Sequence, residues 1–369
     1  MGVLELNSRC KVPRLDLELS SGCDHRCAHC YNVWNALEGE PQGGYPRGQL
    51  PTAEYLAMVE KAIRQSGATH LTITGGEPLL RKNALEIIER TCALVESVLL
   101  ITNGSHVSMA TAKRLATAGV RSVQLTFLSA TPEEHDRLKG ARSFDDTVRA
   151  CMNLHDERIP VQACFVATNQ NWHDFPCVIE LCLALGIRSI VYNRMSPAGW
   201  AVNRLADLLP EVDQVRANLE AAEKLGRRWG IRVVTAMPIP PCLIRAVEFP
   251  WVQFGFCSTG TSSPNLVIDP MGNVRSCNLS RTILGNIVHQ DWAEIMRNPY
   301  PREFRRRVPD ACRGCEHAQS CQGGCKESAF AVMGDLRHQD PFVALARAPG
   351  GRSRGQSPRL RVLSEHDLD

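Results

Sequence analysis

Three cysteines lie within eight residues near the start of the chain: Cys23, Cys27 and Cys30, spaced C-x3-C-x2-C. Their number is odd, so they cannot all pair as disulfides. A structural zinc site usually takes four ligands, and a cubane [4Fe–4S] cluster normally takes four thiolates. Three thiolates on such a cluster would leave one iron open to an outside ligand. The alternatives are a zinc knuckle or ordinary buried thiols.

A second candidate segment has the sequence T-G-G-E-P at residues 74–78 and ends an apolar run. Its glycines, Gly75 and Gly76, let the backbone turn sharply and approach a ligand closely, because no Cβ intervenes. Glu77 and Pro78 complete the motif. Taken alone, such a segment is explained equally well by a plain turn at the end of a strand.

The last third of the chain carries a second group of cysteines. Short C-x2-C and C-x3-C spacings can hold one metal centre, whereas the longer gaps let distant segments complete two centres. A zinc ribbon is the alternative, because zinc accepts the same thiolates. The cysteines are Cys257, Cys277, Cys312, Cys315, Cys321 and Cys325, and none follows the last of them.

Alternating strand and helix patterns must position these residues. Strands are predicted at 15–19, 70–74, 97–102, 122–128, 161–168 and 189–194, with a further strand at 231–235. The helices between them are predicted at about 51–65, 83–95, 108–118, 143–155, 174–185 and 210–229. Short connections between strand–helix units imply a parallel sheet covered by helices. Six units are fewer than the eight of a closed TIM barrel. The prediction is therefore an α/β fold with an open, partial barrel.

Changes in composition divide the chain into four predicted segments. These are an N-terminal extension (1–13), the barrel (14–237), a Cys-rich domain (238–345) and a disordered basic tail (346–369). A proline-rich stretch at 238–241 marks the main boundary. The sequence D-P-M-G-N at 269–273 predicts a β-hairpin within the Cys-rich domain, and the tail is rich in Gly, Arg, Ser and Pro.

The overall composition excludes several classes of function. Of 369 residues, 44% are hydrophobic and 22% charged, which is ordinary for a globular protein, and the net charge of +3 is too small to argue for nucleic-acid binding. The sequence has neither a secretion signal nor an apolar run of about eighteen residues. The 16 cysteines then indicate metal ligands and core thiols in a reducing cytoplasm rather than disulfides.

Together, the C-x3-C-x2-C loop after the first strand, the T-G-G-E-P segment and the later cysteines resemble the radical S-adenosylmethionine (SAM) superfamily, in particular its SPASM-domain subgroup of peptide and protein maturases. The resemblance covers roughly residues 14–340. It implies a (β/α)6 partial barrel and a [4Fe–4S] cluster whose open iron binds SAM. It also implies reductive cleavage of SAM to a 5′-deoxyadenosyl radical, which takes hydrogen from a substrate.

The resemblance also suggests which residues contact SAM. The backbone of Gly76 and Glu77, within the Gly75–Pro78 motif, would face the SAM ammonium, which needs hydrogen-bond acceptors. Arg suits a carboxylate because it can donate two parallel hydrogen bonds. The expected side-chain contacts are Thr126, Asn169 and Arg194 at strand ends, with Tyr31 on the adenine side. The residues for acid–base catalysis are not identifiable.

One or two auxiliary [4Fe–4S] clusters are implied by the C-terminal pattern. By resemblance, Cys257, Cys277 and Cys325 belong to one cluster, and Cys312, Cys315 and Cys321 belong to the other. Each set is one thiolate short, because the pattern's final cysteine is absent. Cys242 is expected to reach the first set, and Asp335, His338 or Asp340 the second. Alternatively, one cluster is open to substrate or is lacking.

The substrate is expected to be a ribosomally made peptide or protein, since SPASM proteins mostly modify peptides. A small molecule in cofactor or natural-product biosynthesis is the alternative substrate. A non-catalytic iron–sulfur electron carrier or a zinc scaffold is the alternative of another class. The enzyme would need a low-potential donor, either flavodoxin or ferredoxin. Only about thirteen residues precede the first strand, so a peptide substrate would need a separate leader-peptide carrier or a short motif.

Overall fold

A sheet of parallel strands in chain order forms the centre of the protein, in a computed structural model that describes residues 12–34 and 45–346. The register pairs Leu17 with Ile73 and Ile73 with Leu100, so the buried apolar residues of neighbouring strands lie side by side. The strands are β1 (Arg14–Glu18), β2 (His70–Thr74), β3 (Ser97–Thr102), β4 (Ser122–Thr126), β5 (Val161–Ala167), β6 (Ser189–Arg194), β7 (Arg232–Thr235) and β8 (Val252–Gln253).

Helices connect consecutive strands, as the alternating pattern predicts. The longest of them buries Val215, Leu219 and Ala222 at helical spacing, which is how one apolar face covers the sheet. The helices are α1 (Thr52–Ser66), α2 (Ala84–Cys92), α3 (Met109–Ala118), α4 (Pro132–Lys139), α5 (Phe144–Asp156), α6 (Phe175–Ala184), α7 (Leu205–Leu208) and α8 (Val212–Trp229).

The sheet is open, because the strand order runs from β1 to β8 without β8 returning to β1. The predicted α/β partial barrel is thus confirmed. Three of the predicted strands, at 70–74, 97–102 and 189–194, have the observed bounds. The fourth strand ends at Thr126 rather than at 128, and the long helix begins at Val212 rather than at 210.

Beyond the predicted boundary at residue 238 the same sheet continues. Strand β9 (Leu266–Ile268) pairs in parallel with β1, where Leu15 lies beside Leu266. Strands β10 (Asn273–Arg275) and β11 (Ile283–Asn286) then extend the sheet in antiparallel fashion. The hairpin predicted around residues 269–273 is present, and its Asp269 carboxylate accepts hydrogen bonds from the backbone N–H groups of Met271 and Asn273.

Short helices make up the rest of the C-terminal region. No helix within the described ranges has both the length and the apolar character needed to cross a bilayer. Most of the predicted N-terminal extension and nearly all of the predicted tail lie outside the described residues. The C-terminal helices are α9 (Trp292–Ile295), α10 (Tyr300–Arg306), α11 (Ala318–Cys321), α12 (Lys326–Met333) and α13 (Pro341–Ala346).

Candidate active site

The cysteine loop directly follows β1 and is held from one side by the end of β2. The backbone N–H of Gly76 donates to the carbonyl of Ser20 at 2.7 Å, and that of Glu77 donates to the carbonyl of Gly22 at 2.8 Å. A Cβ on Gly76 would lie 2.1 Å from the Gly22 oxygen and 3.2 Å from the Cys23 Cβ. Gly76 therefore serves the close approach of two backbones, as its glycine identity suggests.

The other side of the loop is held by the C-terminal end of α4. The backbone N–H of Arg26 donates to the carbonyl of Lys139 at 3.1 Å, and that of Ala28 donates to the carbonyl of Leu138 at 2.9 Å. Carbonyls at a helix end have no partner within the helix. They are thus available to fix the loop between Cys23 and Cys30.

Helix α4 was not among the helices predicted from the sequence, although its signals are there. Pro132 occupies the first turn, with Glu133 and Glu134 beside it, and Gly140 ends the helix in a left-handed conformation. Proline and acidic residues at the start and glycine at the end are typical of a helix. The length of only eight residues and the low apolar content obscure the helical periodicity.

The three thiols Cys23, Cys27 and Cys30 are neighbours and partly exposed. Burial, with a smaller contribution from the next thiol along the loop, raises the pKa of both Cys23 and Cys27 to about 11. A metal centre of positive charge would favour the ionised thiolates. Within the described ranges, no three Cys, His, Asp or Glu side chains converge tightly enough to chelate a single ion. A cubane instead holds its thiolates on separate irons.

The carboxylate of Glu77 is buried and bonded within the protein. It accepts hydrogen bonds from the Thr102 hydroxyl at 2.7 Å, the Asn103 backbone N–H at 2.7 Å and the Leu79 N–H at 3.0 Å. The side-chain amide of Asn103 in turn donates to Asp24 in the cysteine loop at 2.7 Å. Glu77 therefore fixes the ends of β2 and β3 with its side chain, so its carboxylate is occupied by partners within the protein.

At the ends of β4, β5 and β6 lies a small polar row. Thr126 pairs in register with Cys164, and the Asn193 side-chain amide donates to the Cys164 sulfur at 3.8 Å. The side-chain oxygen of Asn193 accepts hydrogen bonds from the backbone N–H groups of Ala236 and Met237. Thr126 is half-buried at the same edge of the sheet as the cysteine loop, where open parallel sheets bind their ligands.

Two further predicted contacts lie near this edge. Tyr31 is 41% exposed, and its ionisable neighbours include Cys30 and Cys164. Asn169 follows β5, but its side-chain oxygen accepts a hydrogen bond from Gln214 on α8 at 2.7 Å. Asn169 thus already has a structural partner, and its amide nitrogen is the group left to consider for a ligand.

Arg194 ends β6, as predicted, but its guanidinium already has partners within the protein. Its side chain is fully buried and pairs with the carboxylate of Asp340, while also donating to the Pro238 carbonyl and the Ser196 hydroxyl. The ring of Phe342 lies 4.7 Å from the guanidinium carbon. Arg194 therefore joins the barrel to the C-terminal region. The sequence could not indicate this role, because the partner is 146 positions away.

The first predicted auxiliary set, Cys257, Cys277 and Cys325, is brought together by the fold. Burial raises the pKa of Cys277 well above its usual value, and Glu327, Cys325 and Cys257 add to this effect. The buried Glu327 carboxylate accepts a hydrogen bond from the Tyr300 hydroxyl at 2.8 Å. The three thiols are thus electrostatic neighbours although they come from segments well separated in the sequence.

The second predicted set, Cys312, Cys315 and Cys321, lines a depression between the end of the barrel and α11. Cys242 lines the same depression, so it does not lie with the first set as expected. The residues expected to complete the second set, namely Asp335, His338 and Asp340, do not line this depression. Asp340 is bonded to Arg194, and Asp335 and His338 line a separate surface depression.

Two family models match this chain, one in the barrel and one in the Cys-rich region. Residues 17–182 match the Radical SAM superfamily, and residues 257–316 match an iron–sulfur cluster-binding domain named SPASM. The first match includes the cysteine loop and the T-G-G-E-P segment. The second ends before Cys321 and Cys325, and neither match includes Cys242.

Curated relatives match most of the chain. A protein of Granulibacter bethesdensis named PqqA peptide cyclase is 26% identical over 339 residues, covering 90% of this chain and 87% of its own. A Rhizobium meliloti protein of the same name is 28% identical over 335 residues, covering 88% and 84%. These similarities extend across both the barrel and the Cys-rich region.

Solved structures show the same fold at low sequence identity. SuiB of Streptococcus suis, solved with its precursor peptide SuiA, superposes with a TM-score of 0.71 at 16% identity and covers 92% of this chain and 78% of its own. The protein anSMEcpe, with bound AdoMet and the Cp18Cys peptide, gives a TM-score of 0.67 at 18% identity, covering 90% and 94%.

Proposed function

Because this chain belongs to the radical SAM superfamily and carries a SPASM segment, we propose that it is an enzyme that cleaves SAM reductively in order to modify a peptide. The observation that carries the proposal is the three-cysteine loop, held between the end of β2 and the end of α4. A cluster bound there would have three thiolates from one short loop and one open iron.

A [4Fe–4S] cluster on Cys23, Cys27 and Cys30 would supply one-electron cleavage of SAM to methionine and a 5′-deoxyadenosyl radical that takes a hydrogen atom from the substrate. The chain's own residues bind and position the reactants. The Gly76 and Glu77 backbone would accept from the SAM ammonium, and Thr126 and Asn169 would bind at neighbouring strand ends.

We propose a peptide substrate because the curated relatives are named peptide cyclases and two similar structures hold peptides. A flavodoxin or ferredoxin would supply the electron, and a separate carrier would present the peptide. The many free thiols suit a reducing cytoplasm, where we propose that the enzyme works.

The test of SAM cleavage is anaerobic reconstitution with iron and sulfide, followed by dithionite and SAM. We expect 5′-deoxyadenosine to form and Cys30→Ala to lower its yield at least a hundredfold. Cys177→Ala is the matched control, because Cys177 is an exposed thiol on α6. Equal yields from the wild-type and Cys30→Ala proteins would refute the proposal.

The substrate class is tested by isotope transfer. Peptides encoded by short reading frames beside the gene are prepared with deuterated side chains and incubated with the active enzyme and SAM. A peptide substrate predicts deuterium in 5′-deoxyadenosine and a mass loss of the peptide. Deuterium transfer from a labelled extract freed of peptides, with none from the peptides, would instead indicate a small-molecule substrate.

A further inference from the structure

We propose that Cys242 is the fourth ligand of the second auxiliary iron–sulfur site and closes it together with Cys312, Cys315 and Cys321. The inference rests on the iron–sulfur part of the proposed function. It assigns a ligand to a residue that lies outside both family matches. It also supplies a fourth thiolate for the second set, for which residues 326–369 offer no cysteine.

The first argument is proximity. The four sulfur-bearing side chains of Cys242, Cys312, Cys315 and Cys321 line one depression. Cys242 and Cys312 are both electrostatic neighbours of Cys321. Three of the thiols come from one segment of ten residues, and Cys242 comes from a separate segment that follows β7, so two segments of the chain supply the set. A closed cubane needs this arrangement of four thiolates.

The second argument is the surrounding hydrogen bonds. The backbone N–H groups of Gly323 and Gly324 approach the sulfur of Cys321, and the Gln339 side-chain amide donates to the Cys312 sulfur at 3.4 Å. N–H donors directed at sulfur stabilise negative charge on a thiolate and tune iron–sulfur clusters. A chance grouping of surface thiols would not require such donors.

The third argument is that the segment carrying Cys242 is fixed in place. The backbone N–H of Leu243 donates to the Pro240 carbonyl at 3.0 Å, and that of Ile244 donates to the same oxygen at 3.2 Å. Ile244 is buried, and just upstream the Pro238 carbonyl accepts from Arg194. The turn around Cys242 is thus anchored on both sides, although Cys242 itself is exposed.

A consequence follows for the role of the site. A cluster with four thiolates has no open iron, so it can pass electrons but cannot bind a substrate directly. We therefore assign an electron-transfer role to this site. The chemical partner of the site is a low-potential redox centre, either a neighbouring cluster or an external donor.

The experiment removes the N-terminal cluster first. In a Cys23→Ala/Cys27→Ala/Cys30→Ala background the chain is reconstituted anaerobically, and iron, sulfide and zinc are counted per chain. Cys242→Ala is then added, with Cys177→Ala as the matched exposed-thiol control. We expect Cys242→Ala to lose about one to four irons per chain, since a cubane lacking a ligand becomes a three-iron cluster or is lost, and Cys177→Ala to lose none.

Electron paramagnetic resonance of the oxidised and of the dithionite-reduced samples provides a second measurement. A three-iron signal, or loss of one reduced-cluster signal, in Cys242→Ala alone supports the inference. Identical iron content and spectra in the Cys242→Ala and Cys177→Ala proteins would overturn it, and so would one zinc per chain at this site in place of iron. SAM cleavage is absent from this background by design, so failure of the proposed function would appear separately, as no 5′-deoxyadenosine from the unmodified chain.

Discussion

The guanidinium of Arg194 and the carboxylate of Asp340 form an ion pair whose side chains are both fully buried. Arg194 ends β6 of the barrel, and Asp340 directly precedes α13. The same carboxylate accepts a hydrogen bond from the backbone N–H of Cys325 at 2.8 Å. One carboxylate therefore joins the end of a barrel strand to the first auxiliary cysteine set.

Asp340→Asn should lower the free energy of unfolding by about 3–5 kcal/mol, because it leaves the buried Arg194 charge without a counter-ion. Chemical denaturation under anaerobic conditions measures the loss. Asp207→Asn is the matched control, since Asp207 pairs with Arg204 at the surface and an exposed pair contributes about 0–1 kcal/mol. Equal losses in the two variants would contradict a special role for the buried pair.

Gly140→Ala should weaken the hold of α4 on the cysteine loop. Gly140 has a φ of +61°, and a Cβ there would lie 2.6 Å from the Arg26 carbonyl oxygen. Gly119→Ala is a matched control, because Gly119 also ends a helix with positive φ (+82°) but has no atom within 4 Å of an added Cβ. Both variants carry the strain of a positive φ. The difference in stability between them therefore reports the contact of Gly140 with the cysteine loop.

We expect Gly140→Ala to be about 1–3 kcal/mol less stable than Gly119→Ala, which is the usual cost of overpacking. It should also retain less iron in a chain whose auxiliary cysteines have been replaced. Iron analysis after gel filtration and denaturation curves measure both effects. Indistinguishable iron retention in the two variants would show that α4 does not support the loop.

His135 should make the protein less stable in mild acid. Burial, reinforced by the positive charge of Lys139, lowers the pKa of His135 from 6.5 to about 3. Below pH 6.5 the unfolded chain binds a proton that the folded chain does not, so the free energy of unfolding falls as the pH falls. At pH 5.5 the free energy of unfolding is lowered by about 1.4 kcal/mol through this one residue.

His135→Asn tests the effect, because asparagine keeps an acceptor for the Leu128 N–H but does not titrate. The free energy of unfolding is measured at pH 8 and pH 5.5 in both proteins. The decrease on acidification should be about 1.4 kcal/mol smaller in the variant. His25 and His29 titrate in both proteins and cancel in the comparison. An unchanged decrease would show that His135 is protonated in the folded state.

Thr126→Val should weaken SAM binding about three- to tenfold, because it removes a hydroxyl at the polar row while keeping the side-chain shape. A hydrogen bond contributes about 0.5–1.5 kcal/mol. Equilibrium binding to the reconstituted enzyme measures the change. Thr117→Val is the control, since the Thr117 hydroxyl donates to the Lys113 carbonyl on the exposed face of α3. A wild-type affinity in Thr126→Val would exclude Thr126 from the SAM site.

The parts of the site predicted from the sequence are those with local signals. The cysteine loop and Gly76 each follow a strand whose alternating apolar residues are visible in the chain, and parallel strands necessarily end at one edge. The type and nearly the bounds of the first seven strands therefore follow from the sequence. The same reasoning gives the hairpin, because the turn residues around Gly272 are characteristic.

The parts not predicted depend on contacts between distant segments. The pairing of β9 with β1 joins residues about 250 positions apart, and nothing in β9 itself selects β1 over another edge. Likewise, the sequence indicates that Arg194 can bind an anion, but it does not indicate which one. The partner, Asp340, is determined by packing of distant segments. Cys242 lies far from Cys312 in sequence, so only the folded chain shows which cysteines it lies beside.

The pairing of β9 with β1 also bears on how the protein can be divided. A fragment ending at residue 237 would lose the neighbour that covers β1 and would expose the unpaired backbone groups of that strand, and such edges promote aggregation. The complementary fragment would lose the strand against which its hairpin is built. Limited proteolysis or separate expression of the two halves should therefore yield insoluble material, and we expect iron to be incorporated only into the intact polypeptide.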